Sequence, residues 1–201
     1  MPARKTPAVP ATTDRRAQRS RGLLLDALFS LMVERGYERL TTQNLIDRAG
    51  VGRATFYAHF QNKEELLAES IGGLRAWLVA MRDREPGVRF AFMLPFFEHI
   101  RSHHDMYRTT FERESEVSVE RHIRAMLREL VREDLALHRA PRQDDGAIEL
   151  ATQFVVSALW AVITWWMGGG AKQPAAEMHA VFRRLASPGL ELTLESAAGS
   201  R

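Results

Sequence analysis

The 201-residue chain contains no cysteine, and this absence excludes several kinds of site. Disulfides, zinc sites with thiolate ligands and cysteine nucleophiles are ruled out, and the composition suits a reducing cytosol, so we expect a cytoplasmic protein. The serine-nucleophile, phosphate-loop and dinucleotide-binding motifs of common enzymes are missing as well. The glycines at 168–170 lack the Lys-Ser/Thr pair of a phosphate-binding loop, so they indicate a helix end. We therefore expect neither enzymatic activity nor a cofactor.

Long hydrophobic runs are also missing. Residues 1–13 contain Pro, Ala and Thr without the apolar segment of a secretory signal, and we interpret them as a flexible arm. The longest apolar stretch, residues 154–167, is interrupted by Ser157 and Thr164 and is too short to cross a bilayer. We expect it to be a buried or interfacial helix, and we expect no membrane association.

Strand-like alternation of apolar and polar residues is absent, which predicts an all-α fold. Apolar residues instead recur at spacings of three and four, and Gly, Pro or capping residues separate the runs. Asp14 is the expected N-cap of the first helix, and Asn62 is that of the fourth. About nine helices are expected, over residues 15–35, 43–48, 53–59, 63–82, 88–103, 105–111, 115–138, 145–167 and 174–186.

The net charge of +3 is unevenly distributed along the chain. Residues 1–72 hold 11 Lys/Arg and 8 Asp/Glu, a surplus of three, whereas residues 73–201 hold 17 of each. A basic segment joined to a neutral one indicates where a polyanion would bind.

Residues 41–67 have the pattern of a helix-turn-helix, in which two short helices are joined by a glycine turn. Ala49 is small enough for the helices to approach closely, and Gly50 supplies the backbone freedom that the turn needs. The apolar residues spaced to bury inward and fix the angle between the helices are Leu45, Ile46, Val51 and Phe56.

The opposite face of the second helix is polar. It presents Arg53, Thr55, Tyr57 and His59, whose side chains can bond phosphates or base edges. Lys63 follows at the start of the next helix. This arrangement of residue types is typical of a surface that reads DNA.

The segment closely resembles the DNA-binding domain of the TetR/AcrR family of regulators. The family's hallmark is a helix begun by threonine, an A-G-V turn, an R-x-T-x-Y-x-H-F recognition helix and a following N-K-E-x-L. Here these elements are Thr42, residues 49–51, residues 53–60 and residues 62–66. The R-G-Y-E sequence at 35–38 resembles the end of the family's first helix, so the likeness extends over about residues 15–70.

This resemblance implies an N-terminal helix-turn-helix DNA-binding domain of three helices and a C-terminal helical domain for ligand binding and dimerisation. The expected boundaries are residues 1–13 for the arm, 14–72 for the DNA-binding domain, 73–187 for the sensing and dimerisation domain, and 188–201 for a tail. The residues expected to contact double-stranded DNA are Thr42, Gln43, Arg53, Ala54, Thr55, Tyr57, His59 and Lys63.

Two roles are expected within this set. Arg53 and Thr55 would read bases, because arginine favours guanine and the threonine methyl group can touch thymine. By the same resemblance, Tyr57, His59 and Lys63 would mostly hold phosphates.

One position departs from the family pattern. Gly52 stands where a serine is usual, which removes a hydroxyl that would cap the helix or contact a phosphate. The N-terminal basic residues either add phosphate or minor-groove contacts or belong to a solvated tail; they are Arg4, Lys5, Arg15, Arg16, Arg19 and Arg21.

The last two expected helices resemble one subgroup of the family, in which an apolar helix ending in a W-W run is followed by glycine and by P-x-E-M. In the family such helices pack with their twofold mates as a four-helix bundle, which implies a homodimer on a palindromic operator. Burial within one chain is the alternative for so apolar a helix. The expected interface residues are Phe154, Ala158, Val162, Trp165, Trp166, Met178 and Phe182.

Methionines and aromatic residues of the central helices either line an adaptable apolar cavity or simply fill the core. They favour a hydrophobic or aromatic small-molecule effector. The candidates are Phe92, Met93, Phe96, Phe97, Met106, Tyr107, Phe111, Met126 and Trp160.

A group of histidines invites a metal interpretation. His99 and His103 share one helix face, and His104 and Asp105 follow directly. Neither an HExxH motif nor a further ligand set accompanies them, so we expect a polar helix end and no metal site, with a pocket edge or pH sensing as alternatives.

The sequence therefore predicts a ligand-responsive transcriptional regulator, and a repressor by analogy with most of the family. The alternative is a helical interaction module whose DNA function is lost. The intact polar face from Arg53 to His59 argues against that alternative.

Overall fold

The computed structural model describes residues 11–112, 117–138 and 145–199. Within these ranges it contains nine helices and no strand, which confirms the all-α prediction. They are α1 (Ala11–Arg35), α2 (Thr42–Ala49), α3 (Arg53–His59), α4 (Lys63–Arg82), α5 (Met93–Ser102), α6 (His104–Glu112), α7 (Val117–Leu137), α8 (Asp145–Gly168) and α9 (Ala175–Gly199). The chain divides into two compact units, residues 1–67 and 68–201, and the boundary falls inside α4.

The first unit is organised around α1, which packs against α2 and α3. Leu24, Leu28 and Leu31 recur at helical spacing on the buried face of α1. Leu45 of α2 and Phe56 of α3 are buried as well. The short helices α2 and α3 are therefore held by an apolar core rather than by their own length, which is below that of a stable isolated helix.

The start of α1 differs from the prediction. The chain is helical from Ala11, the first described residue, so Asp14 lies inside α1 and is not its N-cap. The predicted end is confirmed, because Gly36 has φ 78° and donates its N–H to the Met32 carbonyl at 2.9 Å.

The second unit is organised around α8. Helices α6, α7 and α9 pack against it, and α5 packs against α6 and α9. Val155, Leu159 and Ile163 of α8 are fully buried. By length and composition alone, α8 is long and apolar enough to cross a membrane. Its buried side chains are those of a core helix covered by three neighbours, as expected from the sequence.

The segment before α5 is not helical. Helix was expected from Val88, but α5 begins at Met93 because Phe90 has φ 60°, in the left-handed region that no α-helix contains. The Phe90 N–H donates instead to the buried carboxylate of Asp134, with N to Oδ2 at 3.0 Å. A residue 44 positions away thus holds this turn open.

The last helix is longer than expected. A break was predicted at residues 187–189, yet α9 continues through Pro188 to Gly199. Proline removes one helical hydrogen bond, but Phe182, Ala186 and Leu190 keep a four-residue spacing of buried positions across it. Burial therefore outweighs the proline, and the described part of the expected tail, as far as Gly199, is helical.

Candidate nucleic-acid interface

The helix-turn-helix begins with a reciprocal cap. The Thr41 hydroxyl accepts the Asn44 N–H at 3.2 Å, and the Asn44 side chain accepts the Thr41 N–H at 3.1 Å. These two bonds satisfy backbone donors that the first turn of α2 leaves unpaired. Thr41 is therefore the N-cap of α2, and Thr42 is the first residue of the helix.

Gly50 forms the turn between α2 and α3. It has φ 63° and ψ 30°, and its N–H points to the carbonyls of Ile46 and Asp47. This left-handed geometry is one that glycine adopts without a steric penalty, which is the role predicted for it. Gly52 then caps α3 in an extended conformation and makes no side-chain hydrogen bond.

Helix α3 presents a polar outer face above one buried anchor. Phe56 is fully buried, whereas Tyr57 keeps 49% of its surface exposed. The Arg53 guanidinium lies 5.7 Å from the centre of the Tyr57 ring, so the two side chains support each other on the surface. Of the predicted DNA contacts, Gln43, Arg53, Ala54 and Tyr57 are exposed, and Thr42, Thr55, His59 and Lys63 are half-buried.

Arg48 is a basic residue of α2 whose role the sequence did not indicate. Its guanidinium donates to both carboxylate oxygens of Glu34 at 2.6 and 2.7 Å, and to the Ser30 hydroxyl at 2.8 Å. This contact raises the pKa of Arg48 and lowers that of Glu34. Arg48 therefore fixes α2 on α1, and no periodic signal joins residues 14 and 18 positions apart.

Lys63 also stabilises the fold of this unit. Its ammonium group lies 3.3 Å from the Tyr37 carbonyl and 3.4 Å from the Glu38 carbonyl, and 4.5 Å from the centre of the Tyr37 ring. It thus holds the loop between α1 and α2. An ammonium group has three N–H donors, so one remains for another acceptor.

The basic residues at the start of α1 are surface residues. Arg15, Arg16, Arg19 and Arg21 are exposed, and the Arg21 guanidinium lies 5.8 Å from the centre of the Phe60 ring. Arg4 and Lys5, which were grouped with them, lie outside the described residues. These four arginines are therefore part of helix α1.

In the second unit, most of the residues predicted to line a pocket are core residues. A cavity of about 410 Å³ lies among the segment before α5, the end of α7 and α9, and Met93 is the one predicted pocket residue in its lining. The Phe111 side chain lies outside the described residues. The others are buried elsewhere or half-buried: Phe92, Phe96, Phe97, Met106, Tyr107, Met126 and Trp160. The helical spacing showed that these residues face inward. Core residues and pocket residues both face inward, so the spacing could not distinguish them.

The residues predicted at the dimer interface separate into two groups. Phe154 and Trp165 are 47% and 64% exposed, and Ala158 and Val162 between them are half-buried. Trp166, Met178 and Phe182 are buried within the chain, and their predicted place in the dimer interface stays a prediction. Trp165 and Trp166 differ in exposure because adjacent residues of α8 point in directions about 100° apart.

The histidines form a stacked cluster rather than a ligand set. The His99 and His103 rings lie 4.2 Å apart, and the edge of the His99 ring meets Tyr107. Burial, and then the charge of His103, lowers the pKa of His99 to about 4. Burial raises the pKa of Tyr107. Among the described residues no group of three or more His, Asp or Glu side chains is arranged to hold a metal ion.

Two protein-family models match the chain. The model for bacterial regulatory proteins of the tetR family matches residues 24–70, which include α2 and α3. A model for the C-terminal region of transcriptional regulators matches residues 90–188. The chain belongs to the TetR family. Its members are transcriptional regulators and not enzymes.

Similar curated proteins include both repressors and activators. The regulator TcmR of Streptomyces glaucescens is 32% identical over 85 residues, 42% of this chain and 38% of TcmR. The repressor KstR2 of Mycobacterium tuberculosis is 37% identical over 60 residues, 30% of each chain. The activator FasR of Mycolicibacterium smegmatis is 33% identical over 116 residues, 51% of this chain and 52% of FasR. The matches thus span between about a third and a half of these relatives.

The fold of this TetR-family chain is also that of solved structures. A TetR transcriptional regulator from Streptococcus agalactiae superposes with a TM-score of 0.66 at 22% identity, covering 87% of this chain and 97% of the other. NalD of Pseudomonas aeruginosa, a secondary repressor of a multidrug efflux pump, gives 0.63 at 17% identity, covering 87% and 96%. At these identities the likeness shows the fold alone.

Proposed function

We propose that the protein is a sequence-specific DNA-binding transcriptional regulator of the cytoplasm. The observation that supports this most is the outer face of α3, where Arg53 and Tyr57 stand exposed above the buried Phe56. The cap at Thr41 and the Arg48–Glu34 contact support it further, because they fix the start of α2 and its position on α1, the helix against which α3 also packs. A rigid short helix with a polar outer face fits the major groove of DNA.

The proposed contacts follow the expected roles. Arg53 and Thr55 read base edges, whereas Tyr57, His59 and the remaining N–H of Lys63 hold phosphates. Thr42, Gln43 and Ala54 complete the surface. The Gln43 side chain donates a hydrogen bond to Asp47 at 2.7 Å. On binding DNA, Gln43 would give up this bond for one to the DNA. Residues 14–72 form the DNA-binding domain in this proposal, and residues 73–187 sense the effector and dimerise.

The protein acts as a homodimer in this proposal. An apolar stripe on α8, defined by Leu150, Phe154, Ala158, Val162 and Trp165, runs along the outside of the second unit at helical spacing. Large apolar residues aligned on one exposed face are typical of an interaction surface. Twofold pairing through the stripe would give two recognition helices for the half-sites of a palindromic operator.

The regulator is a repressor in this proposal, released from its operator by a small-molecule effector. An effector acts by binding one conformation of the dimer more tightly than the other, so it shifts the population away from the state that matches DNA. Both a repressor and an activator occur among the similar proteins, so the sign of control rests on the family's common behaviour.

The test is selection of binding sites from a random duplex pool with the purified full chain, followed by titration of the selected duplexes at several salt concentrations. We expect a palindromic consensus bound by two chains, with affinity that falls steeply as salt rises. Weak binding without a consensus would overturn the proposal and favour the interaction-module alternative.

A further inference from the structure

The cavity in the second unit is lined by basic groups from three separate parts of the chain. Arg89 comes from the segment before α5, His138 from the end of α7, and His179 and Arg183 from α9. No described carboxylate lies within ion-pair distance of either arginine. The two arginines therefore bring positive charge to one cavity without a direct ion pair among the described residues, which attracts an anion.

One acidic group lies close to this cavity, and it is already engaged. Asp134 is fully buried; it accepts the Phe90 N–H, and its Oδ2 lies 3.4 Å from Nδ1 of His138. Burial raises the pKa of Asp134, and the Phe90 N–H and nearby cations, including His138 and Arg89, oppose this shift. Asp134 offsets one positive charge at most, so the two arginines leave a surplus.

His179 lines the cavity together with Arg183. Burial, followed by the charge of Arg183, lowers its pKa. Its ring also lies 6.4 Å from that of Phe97, in the core of the unit.

The remaining walls are apolar. Phe90, Met93, Phe182 and Leu190 line the cavity, and each is at most 9% exposed. A volume of about 410 Å³ lies within the range of small-molecule sites. The basic groups would suit a charged headgroup, and these walls would suit an apolar body.

We propose that this cavity binds an amphipathic organic anion, whose carboxylate or similar headgroup pairs with Arg89 and Arg183 and whose apolar body packs against Phe90, Met93 and Phe182. This deepens the proposed function, since the anion would be the effector. This site is of mixed character, with basic groups beside apolar walls. Arginine pairs well with a carboxylate because its planar fork matches the two oxygens.

The test measures binding to the full chain by isothermal titration calorimetry without DNA. The probes are decanoate, decanol as its neutral counterpart, decylammonium as its cationic one, and inorganic phosphate. We expect decanoate to bind at least about tenfold more tightly than any of the other three, which corresponds to one charge-assisted contact. Equal binding of decanol would overturn the role of charge, and equal binding of phosphate would overturn the role of the apolar walls.

Two matched variants locate the site. Arg183→Gln should weaken decanoate binding about tenfold or more, whereas Arg184→Gln, at the exposed neighbour that does not line the cavity, should leave it unchanged. Equal effects of both variants, or no decanoate binding to the unaltered chain, would overturn the inference. Operator selection without decanoate binding would overturn this inference alone, and the reverse result would overturn the proposed function alone.

Discussion

The two units of the chain keep their candidate functional groups in different places. In the first unit most of the groups lie on the outside of α3, and the others lie nearby in sequence at the starts of α2 and α4. In the second unit they line a cavity whose walls come from residues 87–93, 138 and 179–190. The first surface depends on one helix and its cap, whereas the cavity depends on how distant segments pack. Substitutions should therefore separate binding from folding in the first unit more readily than in the second.

The largest expected effect is in the second unit and concerns two adjacent tryptophans. Trp166 is fully buried, packs against Phe97 and donates its Nε1–H to the Gln173 carbonyl at 3.2 Å. Trp166→Ala should lower the free energy of unfolding by about 3–5 kcal/mol, measured by urea denaturation. Trp165→Ala should instead raise the dissociation constant of the dimer in analytical ultracentrifugation, because its side chain is 64% exposed. Equal losses of stability at concentrations where only monomer is present would contradict the contrast.

In the first unit, exposed residues of α3 should affect DNA binding with little change in stability. Arg53→Ala should weaken binding to the selected operator by about 1–3 kcal/mol and relax its base preference. Tyr57→Phe should weaken binding to all duplexes alike, because a phosphate contact is independent of sequence. Competition between the operator and a scrambled duplex measures both. An equal loss on every duplex for Arg53→Ala would contradict its role as a base reader.

At Lys63, in the first unit, a substitution should affect both DNA binding and stability. Lys63→Met should lower the free energy of unfolding by about 1 kcal/mol, because two carbonyls lose a charged donor. It should also reduce the slope of log affinity against log salt by about 1, if the third N–H holds a phosphate. Glu64→Gln, at the exposed neighbouring residue, is the control for stability. A stability loss with an unchanged slope would leave Lys63 a purely structural role.

The second unit should also be sensitive to acid through His99. The pKa of His99 is about 4 in the folded chain against 6.5 as its ordinary value, so the unfolded chain takes up the proton first as pH falls. The stability from His99 is therefore complete above pH 6.5 and decreases towards pH 4, by about 1 kcal/mol given its partial exposure. His99→Gln should flatten the curve of unfolding free energy against pH in that window. His103→Gln, at the exposed partner in the stack, should change it less.

The smallest expected effect returns to α3. Gly52→Ser introduces a hydroxyl where the cap has no side-chain bond, and its Cβ would meet the Thr55 hydroxyl at an ordinary 3.6 Å. We expect a gain of a few tenths of a kcal/mol in stability, measured by thermal denaturation. Gly50→Ser should be destabilising by contrast, since Gly50 has φ 63°. A loss from Gly52→Ser would mean that the hydroxyl does not cap.

The same difference between the units explains what the sequence could predict. The bounds of α3 and its buried Phe56 followed from a local pattern, and the structure has the helix over Arg53–His59. The Arg48–Glu34 contact and the second role of Lys63 did not follow, since they join residues 14 and 25 or more positions apart. The cavity was missed for the same reason, because the turn at Phe90 depends on Asp134 from α7. Periodicity reports which way a residue faces, and only the packing decides whether space is left beside it.

The bond between Phe90 and Asp134 has a further consequence for motion. Phe90 holds a left-handed conformation that costs a bulky residue about 1–3 kcal/mol, so the wall that it forms has a relaxed alternative. Its N–H lies outside any helix and is protected by one buried carboxylate. In hydrogen–deuterium exchange the Phe90 amide should exchange slowly, and its rate should give the frequency with which the cavity wall opens. The exchange rate of one backbone amide would thus measure how often the cavity of the second unit becomes accessible.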